Sequence, residues 1–468
     1  MITMFVEIML VPALPLIIAD FPGDAQWISW VLSIYLLVGA VATPLVGRLG
    51  DVYGKKRVML VVMAIYLIAL IGCGFSLEIS NALLGTQSIF VLLFFRGLQG
   101  IGMGMFTLAF GIVRDTFPRE KIPVAIGLIS AMFSVGVSIG LVIGGWITSV
   151  AHWYDAFHVV TPFFFGLAVA SFYLIKDPLI VKRGSLDIPG SILLGSGVFL
   201  FLLALTQGEE WGWESPAVLG LIAISAALVV LFILVERRSK DPIVRPSLLK
   251  NRGIFGSNVV ALFVGLTMFL VFQTLPFYLQ TPIAVGGHFG LQDTFTVGLY
   301  MLPSAAAQLI FGPIGGMASR RYEPAKVLAV GMLVQTIGFL LIVGFHTTFW
   351  DIALSLFVLG AGFALCMVSM INVVVESCPQ AEFGVASGMN TLFRIVGGAV
   401  GPVLATVILA GNVVMVGPMR FYTEQGFIQT WTMAVVFAVM GLVAALALRP
   451  RPEDKCDIPA ADLPPSGH

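Results

Sequence analysis

Residues 41–63, VATPLVGRLGDVYGKKRVMLVVM, contain the pattern that decides the fold. One apolar run ends at Gly47, a second begins at Val58, and the loop between them carries three consecutive basic residues at 55–57. Each run is about 20 residues long in full, which is enough for a helix to cross the roughly 30 Å hydrocarbon layer of a bilayer. Basic residues hold such a loop at the cytoplasmic surface. The stretch therefore predicts two membrane-spanning helices joined by a short cytoplasmic loop.

The composition extends this prediction to the whole chain. Of the 468 residues, 58% are apolar and 11% are charged, and the mean hydropathy is +1.01. A soluble globular protein has about 45–50% apolar and about 25% charged residues, because its surface must be solvated. The chain is therefore predicted to be a polytopic membrane protein. Its 4 cysteines and 5 histidines form no metal-binding or catalytic motif, so the sequence predicts no metal, no catalytic residues and no enzyme activity.

Apolar segments recur along the chain, separated by Pro, Gly and charged residues. They lie near residues 1–19, 28–47, 57–77, 88–112, 122–149, 157–176, 186–206, 216–235, 254–281, 293–318, 325–345, 350–375, 384–412 and 427–448. Continuous apolar runs of this length favour helices over the strands of a membrane barrel, which alternate with period two. We therefore predict an all-α polytopic membrane protein with fourteen transmembrane helices.

The basic residues predict the orientation of these helices. Arg96 and Arg394 lie within spans and Arg420 lies in an opposite loop, while the rest of the 25 Lys and Arg residues fall on alternate loops or in the tail. The positive-inside rule assigns those loops, and both termini, to the cytoplasm.

An internal repeat predicts two halves. Pro44, Gly47, Tyr53 and Val58 recur with the same spacing as Pro313, Gly316, Tyr322 and Val327. Two pseudo-symmetric bundles enclose a substrate cavity near the bilayer midplane, as alternating access requires. The predicted domains are an N-terminal six-helix bundle at 1–176, two additional helices with a cytoplasmic linker at 177–253, a C-terminal six-helix bundle at 254–448, and a disordered cytoplasmic tail at 449–468.

Three ionisable residues fall clearly within the predicted spans: Glu7, Arg96 and Arg394. A charge at the centre of a span costs about 2.5–3.5 kcal/mol, so each residue needs a partner or a function. Glu7 precedes Asp20 by about 20 Å of helix, deep enough for its carboxyl to bind and release a proton. Glu7 and Arg96 each also have a simpler interpretation. Glu7 could lie near the cytoplasmic surface in contact with water, and Arg96 could be a structural residue bonded to carbonyls at a helix crossing.

Three glycine-rich motifs accompany these charges. In GRLGDVYGKKR (47–57), Asp51 is placed to meet a helix N-terminus or a neighbouring Arg such as Arg114, although the loop could also be only a topology anchor. In RGLQGIGMG (96–104), glycines let helices approach Arg96 closely. In GVSIGLVIGG (136–145), a small-residue face predicts tight helix packing. Its glycines are Gly136, Gly140, Gly144 and Gly145.

At these motifs the chain resembles the major facilitator superfamily, specifically its fourteen-span drug:proton antiporter branch. GRLGDVYGKKR is similar to the signature loop of that superfamily, and RGLQGIGMG to the motif that carries an Arg implicated in proton coupling. GVSIGLVIGG is similar to the antiporter motif, with Leu141 where the motif has Pro. Further similar stretches are ERRSKDPIVRPSLLKNR at 236–252, LPFYLQ at 275–280, LYMLPS at 299–304 and GMNTLFRIVGGAVGP at 388–402.

The resemblance implies roles for particular residues. It implies the major facilitator fold, two six-helix bundles with two inserted central helices, and a proton-coupling set of Glu7, Asp20 and Arg96. Arg394 is the candidate in the C-terminal half. The implied cytoplasmic gate consists of Gly47, Asp51, Gly54, Arg57, Arg114 and Asp115.

The implied function is proton-driven export of lipophilic or cationic compounds through a bacterial or archaeal plasma membrane. The expected partners are a small lipophilic substrate and the lipid bilayer, with no nucleic acid, no cofactor beyond the proton gradient, and a monomeric protein. The alternatives are a dedicated exporter of one metabolite or lipid, a symporter of the same fold, or, from another class, an ion channel. A channel would need rings of repeated charges, which the sequence lacks.

Overall fold

The computed structural model describes residues 1–10, 13–28, 30–118, 120–175, 187–238, 250–291, 294–379, 382–416 and 419–451. Within these ranges the chain forms seventeen α-helices and one β-hairpin. The helices are α1 (Ile2–Ile8), α2 (Leu14–Asp20), α3 (Trp30–Tyr53), α4 (Lys55–Gly74), α5 (Ser76–Leu84), α6 (Ile89–Gly100), α7 (Gly104–Thr116), α8 (Ile122–Val150), α9 (Asp155–Leu174), α10 (Ile188–Trp211), α11 (Pro216–Glu236), α12 (Arg252–Gln280), α13 (Thr294–Arg321), α14 (Pro324–Gly344), α15 (Phe349–Ser377), α16 (Phe383–Ala410) and α17 (Glu424–Ala447). The hairpin strands are β1 (Val413–Val416) and β2 (Met419–Tyr422).

Twelve of the described helical segments are long and apolar enough to cross a membrane, with α6 and α7 counted as one. The predicted number of fourteen is therefore not confirmed. The predicted segment 1–19 forms two seven-residue helices, and Pro15 in the first turn of α2 accounts for the break before it. The predicted segment 122–149 lies in α8, a single helix of 29 residues that is about 43 Å long.

Parts of the predicted linkers and tail lie outside the described residues, namely 176–186, 239–249 and 452–468. The hairpin adds an element to the all-α prediction. Its strands pair antiparallel, with Val413 opposite Tyr422 and Val416 opposite Met419. The hairpin lies between the predicted segments 384–412 and 427–448, in the stretch predicted as the loop that carries Arg420. Valine and aromatic residues favour strands.

A row of glycines on α8 allows α1 to pack directly against it. A methyl group on Gly140 would lie 2.8 Å from the carbonyl oxygen of Phe5, and Gly136 and Gly144 face the backbone of Met1 and Met9 in the same way. The three glycines are four residues apart, so they share one face of α8. The α8 backbone runs without interruption past residues 141 and 145.

Among the helix pairs that join the predicted N- and C-terminal bundles within the described residues, α3–α16 and α8–α13 have the most extensive contacts. Gly47 of α3 faces the backbone of Gly384, and Gly316 of α13 faces the backbone of Pro123. Gly47 and Gly316 occupy equivalent positions in the internal repeat. The repeat therefore supplies one glycine to each of these two crossings, where a side chain would separate the backbones.

The helices α10 and α11 form a hairpin beside one of these crossings. The Ser225 hydroxyl on α11 donates a hydrogen bond of 2.7 Å to the Gly197 carbonyl on α10. The α10 helix packs against both α3 and α16. The two additional helices of the sequence prediction thus cover the α3–α16 seam.

We expect Gly140→Ala to lower the free energy of unfolding by about 1–3 kcal/mol, because the added methyl group overlaps the α1 backbone. The matched control is Gly166→Ala on α9, where a methyl group meets nothing within 4 Å and helix propensity improves. Thermal unfolding of the purified protein in detergent measures both. Equal melting temperatures for the two variants would contradict the close packing of α1 on α8.

Candidate functional site

Asp51 caps a helix that lies more than three hundred residues later in the chain. Its buried carboxylate, in the last turn of α3, accepts hydrogen bonds of 3.3 Å from the backbone amides of both Gly384 and Val385. These amides belong to the first turn of α16, where N–H groups have no partner within their own helix. A carboxylate there satisfies the amides and stabilises the positive end of the helix dipole. Of the two contacts that the sequence left open for Asp51, the structure shows the helix N-terminus.

Arg114 caps the end of the preceding helix, α15. Its Nη2 donates to the carbonyl oxygens of Val375 at 3.0 Å and Cys378 at 2.5 Å, and its Nη1 donates to that of Pro379 at 3.5 Å. The guanidinium also lies 4.6 Å from the centre of the Phe383 ring. A cation at the C-terminus of a helix stabilises the negative end of its dipole. The short connection between α15 and α16 is therefore held by opposite charges on its two sides.

Lys55 links these two caps. Its Nζ lies 2.7 Å from Asp115 Oδ2 and 3.5 Å from Asp51 Oδ1, and the three side chains are at most 6% exposed. We refer to Asp51, Lys55, Arg114 and Asp115 as the α15–α16 clamp. The sequence singled out three of these residues as a gate and assigned Lys55 only to the basic loop. Its buried position depends on Gly111, which leaves room for the lysine stem.

The remaining predicted gate residues have different surroundings. Gly54 lies between α3 and α4 with a φ of 96°, a conformation that favours glycine, so it sets the turn that positions Lys55. Arg57 is exposed. At the same end, Arg320 Nη2 lies 3.2 Å from Glu120 Oε2, but these side chains are 57% and 76% exposed. A pair that exposed contributes little to stability.

Arg96 is held inside the bundle by the carbonyls of two neighbouring helices. Its Nε donates to Val31 O at 2.9 Å, and its Nη1 donates to Val6 O at 3.4 Å and Gln99 Oε1 at 2.8 Å. The guanidinium lies over the Tyr35 ring, 4.9 Å from its centre. Arg96 is fully buried, and its Nη2 has no hydrogen-bond partner among the described residues. A structural role explains the carbonyl contacts but leaves one donor of a buried cation unsatisfied.

Glu7 follows Val6 on α1 and is also buried, with only 6% of its surface exposed. Its Oε2 accepts no hydrogen bond within the part of the chain that the structure describes. The charges of both Arg96 and Arg394 act on this carboxylate. Glu7 is therefore surrounded by protein and lies in the field of two guanidiniums, one from each predicted half.

Asp20 contacts a different part of the molecule. It is the last residue of α2, and its Oδ2 accepts a hydrogen bond of 2.7 Å from the Trp153 indole, just before α9. This contact ties α2 to the connection between α8 and α9. The observed partner of Asp20 is thus Trp153, and not Glu7 or Arg96.

Arg394 lines a small cavity between helices of the two predicted halves. The guanidinium lies over the Phe133 ring of α8, 4.8 Å from its centre. Arg394 is the one charged residue that lines this cavity among the described residues. The other lining residues are aromatic, aliphatic or polar and uncharged: Phe106, Phe110, Ser130, Phe133, Met367, Met370, Ile371, Asn390 and Thr391.

Sequence reasoning missed the uncharged polar residues around this cavity. The Asn390 amide donates to the Ser257 hydroxyl at 2.9 Å, to the Ser257 carbonyl at 3.1 Å and to Asn258 Oδ1 at 3.3 Å. Gln99, the partner of Arg96, was missed in the same way. An amide side chain within an apolar segment also needs a partner. A search of the apolar segments for amide residues as well as for ionisable ones would therefore have found these residues.

Comparisons with known proteins agree with this architecture. The human organic anion transporter MFSD10 (TETRAN) has a similar fold, with a TM-score of 0.63 over 95% of this chain and 96% of that structure, at 17% sequence identity. Among characterised sequences, the multidrug transporter protein MdtP of Bacillus subtilis is 28% identical over 83% of this chain and 69% of its own length. The tetracenomycin C resistance and export protein of Streptomyces glaucescens is 27% identical over 87% of this chain and 73% of its own length.

The sequence profile of the Major Facilitator Superfamily matches residues 1–208, 190–402 and 295–465, which together cover nearly the whole chain. The matched ranges include the α15–α16 clamp, the buried Arg96 and the cavity at Arg394. The chain belongs to the Major Facilitator Superfamily, a family of membrane-spanning transporters.

Proposed function

We propose that this protein is a proton-coupled antiporter that exports lipophilic compounds by alternating access. The proposal rests on Glu7, a buried carboxyl that interacts electrostatically with both Arg96 and Arg394. Arg394 also lines the cavity, so the proton-binding group and the cargo act on the same cation. The names of relatives such as MdtP and the tetracenomycin C export protein support drug export.

The proton step follows from this arrangement. When Glu7 is ionised, it balances the positive charge of Arg96 and Arg394. When Glu7 takes up a proton from outside, both guanidiniums lose this balance, and the position of α1, whose Val6 carbonyl is bonded to Arg96, is biased toward a second arrangement. Cargo that enters from the cytoplasmic side with electron-rich groups near Arg394 would compensate the charge and favour proton release. A proton on Glu7 and cargo near Arg394 thus have opposite effects on the charge balance of the same site.

The cavity lining indicates the chemistry of the cargo. Three phenylalanines and two methionines offer an adaptable apolar surface for aromatic molecules. The Arg394 guanidinium offers hydrogen bonds to oxygen acceptors, whereas the Asn390 amide and the Thr391 hydroxyl already donate to protein oxygens. The lining therefore favours lipophilic aromatic compounds with carbonyl, phenolate or carboxylate groups, and cations would rely on Glu7 for their charge partner.

The orientation that we propose puts the α15–α16 clamp at the cytoplasmic side of the plasma membrane, because the basic loops lie at that end. In this orientation the clamp closes the inner entrance to the cavity. Residues 1–176 and 254–448 would move as the two bundles, with the protein acting as a monomer.

A dedicated exporter of one compound is the second candidate. The resistance protein of Streptomyces glaucescens is named for a single compound, tetracenomycin C. Uptake of a panel of unrelated dyes into inverted vesicles distinguishes broad specificity from this alternative.

We expect Glu7→Gln to reduce proton-gradient-driven ethidium uptake into inverted vesicles at least about tenfold, because the amide cannot exchange a proton. Passive equilibration of ethidium without a gradient should persist, since the helix packing is retained. The control is Glu78→Gln, which removes an exposed carboxyl from α5. Gradient-driven uptake that survives in Glu7→Gln would remove this residue from the coupling step.

Asp51→Asn should open the α15–α16 clamp, because it removes a negative charge from the N-terminus of α16. A loss of about 1–2 kcal/mol corresponds to a five- to thirtyfold rise in the open population. Cys378 reports this opening, since its thiol is buried at the end of α15. Maleimide labelling of Cys378, measured with Cys456 replaced by Ser, should accelerate accordingly.

Glu120→Gln is the matched control for the clamp, because it removes an exposed ion pair at the same end of the bundle. We expect a much smaller change in Cys378 labelling from this variant. Equal labelling rates in the Asp51 and Glu120 variants would show that the buried cap does not hold this end closed.

Arg394→Gln should weaken export of a carboxylate-bearing aromatic dye about tenfold or more, because a charge-assisted hydrogen bond to the cargo is lost. Export of ethidium should change less. Arg394→Lys keeps the positive charge and should retain part of the transport of the anionic dye. An equal loss for both dyes in Arg394→Gln, with no rescue by Lys, would indicate a structural role instead.

A further inference from the structure

Three side chains from separate connections meet at the end of the bundle opposite the clamp. His288 lies between α12 and α13, His346 lies between α14 and α15, and Glu424 is the first residue of α17. We propose that they form a binding site for a divalent transition-metal cation, with Zn²⁺ as the best fit. This site is separate from the cavity and does not depend on the proposed transport function.

The ligand atoms are already close to the positions that a zinc ion needs. Glu424 Oε1 lies 3.0 Å from His288 Nε2 and 2.9 Å from His346 Nε2, and all three atoms lie within 4.8 Å of one another. Ligands about 2.0–2.1 Å from a tetrahedral zinc ion are about 3.3–3.4 Å apart. Small shifts of the two imidazoles therefore suffice to place an ion between the three atoms.

The protein fixes His346 in advance. The Tyr278 hydroxyl donates a hydrogen bond of 3.0 Å to the His346 carbonyl. The His346 ring also packs edge-on against the rings of Tyr278 and Trp431, and its side chain is only 8% exposed. His288 and Glu424 are 31% and 40% exposed, so an ion can reach the site from solvent. One rigid ligand and two accessible ones make a site that is preorganised but open.

The donor set selects the class of metal. Two imidazole nitrogens and one carboxylate oxygen suit zinc and related transition metals, whereas Mg²⁺ and Ca²⁺ prefer oxygen ligands. Asp351 is an additional acid whose charge interacts with His346. Its Oδ2 accepts bonds from the Thr348 amide and hydroxyl at the start of α15, so the fourth position is left to water.

A bound ion would tie together the loops that join α12 to α13 and α14 to α15, and the start of α17. The helices α12, α14 and α15 pack with α17 or with one another. The tie therefore lies within one set of packed helices and does not bridge the two crossings between the halves. We expect the ion to stabilise the protein while changing the transport rate less than about twofold.

The test uses the full chain, purified in detergent without a polyhistidine tag and with Cys456 replaced by Ser. Isothermal titration calorimetry with ZnCl₂ should show one binding site. Thermal unfolding in the presence of ZnCl₂ should show a raised melting temperature. His288→Gln and Glu424→Gln should each weaken Zn²⁺ binding at least tenfold. His152→Gln, which removes an exposed histidine next to α9, should bind within twofold of the unmodified chain. MgCl₂ should neither bind at this site nor compete with Zn²⁺.

Two results would overturn the proposal. One is Zn²⁺ binding of equal strength in the unmodified chain and in His288→Gln, when both elute as folded monodisperse protein. The other is the absence of any zinc-dependent shift in melting temperature in the unmodified chain. Two variants are used because Glu424→Gln keeps the shape of the side chain, so a loss shared by both cannot come from misfolding of the loop at His288.

Discussion

The connection between α15 and α16 brings the end of one helix and the start of the next into a buried position. The free carbonyls of α15 and the free amides of α16 need partners there, because water cannot supply them. Arg114 and Asp51, both from the N-terminal part of the chain, provide these partners with the charges that suit each helix dipole. The approach of α3 to α16 through Gly47 and Gly384 makes the contact possible. Closure of this end thus depends on a few groups whose partners cross between the two halves.

The same constraint, that buried polar groups need partners, explains the interior. Arg96 is satisfied in part by carbonyls of α1 and α3, while Glu7 has an oxygen without a hydrogen-bond donor within the described chain. A buried carboxyl with an unsatisfied oxygen raises the free energy of the folded state as long as its protonation state is fixed. The same arrangement suits a group that binds and releases a proton. Arg394 extends this charge network to the cavity wall. The clamp, whose helix ends have hydrogen-bond partners, and Glu7, which has an oxygen without one in the described chain, are therefore complementary features of one transport protein.

Much of this arrangement could be predicted from the sequence, because apolar length, basic loops and buried charges each have a single physical meaning in a membrane. Asp51, Arg114, Arg96 and Arg394 were identified in this way. The contact of Asp51 with α16 could not be predicted, since nothing local specifies a partner more than three hundred residues away. The break between α1 and α2 was missed because an apolar run has the same composition in either conformation. The hairpin after α16 was missed because it lies in a stretch predicted as a loop between two spans. Lys55 was misjudged because its burial depends on Gly111, which only the packing reveals.

Exchange of cargo for protons through this protein can be followed as proton movement driven by cargo alone. The purified protein is reconstituted into vesicles that contain a pH-sensitive dye, with no initial pH gradient, no membrane potential and a steep ethidium gradient. Antiport predicts that downhill ethidium flux drives protons in the opposite direction and produces a pH change that an uncoupler abolishes. Ethidium flux without any pH change, in vesicles shown to be tight to protons, would contradict proton coupling.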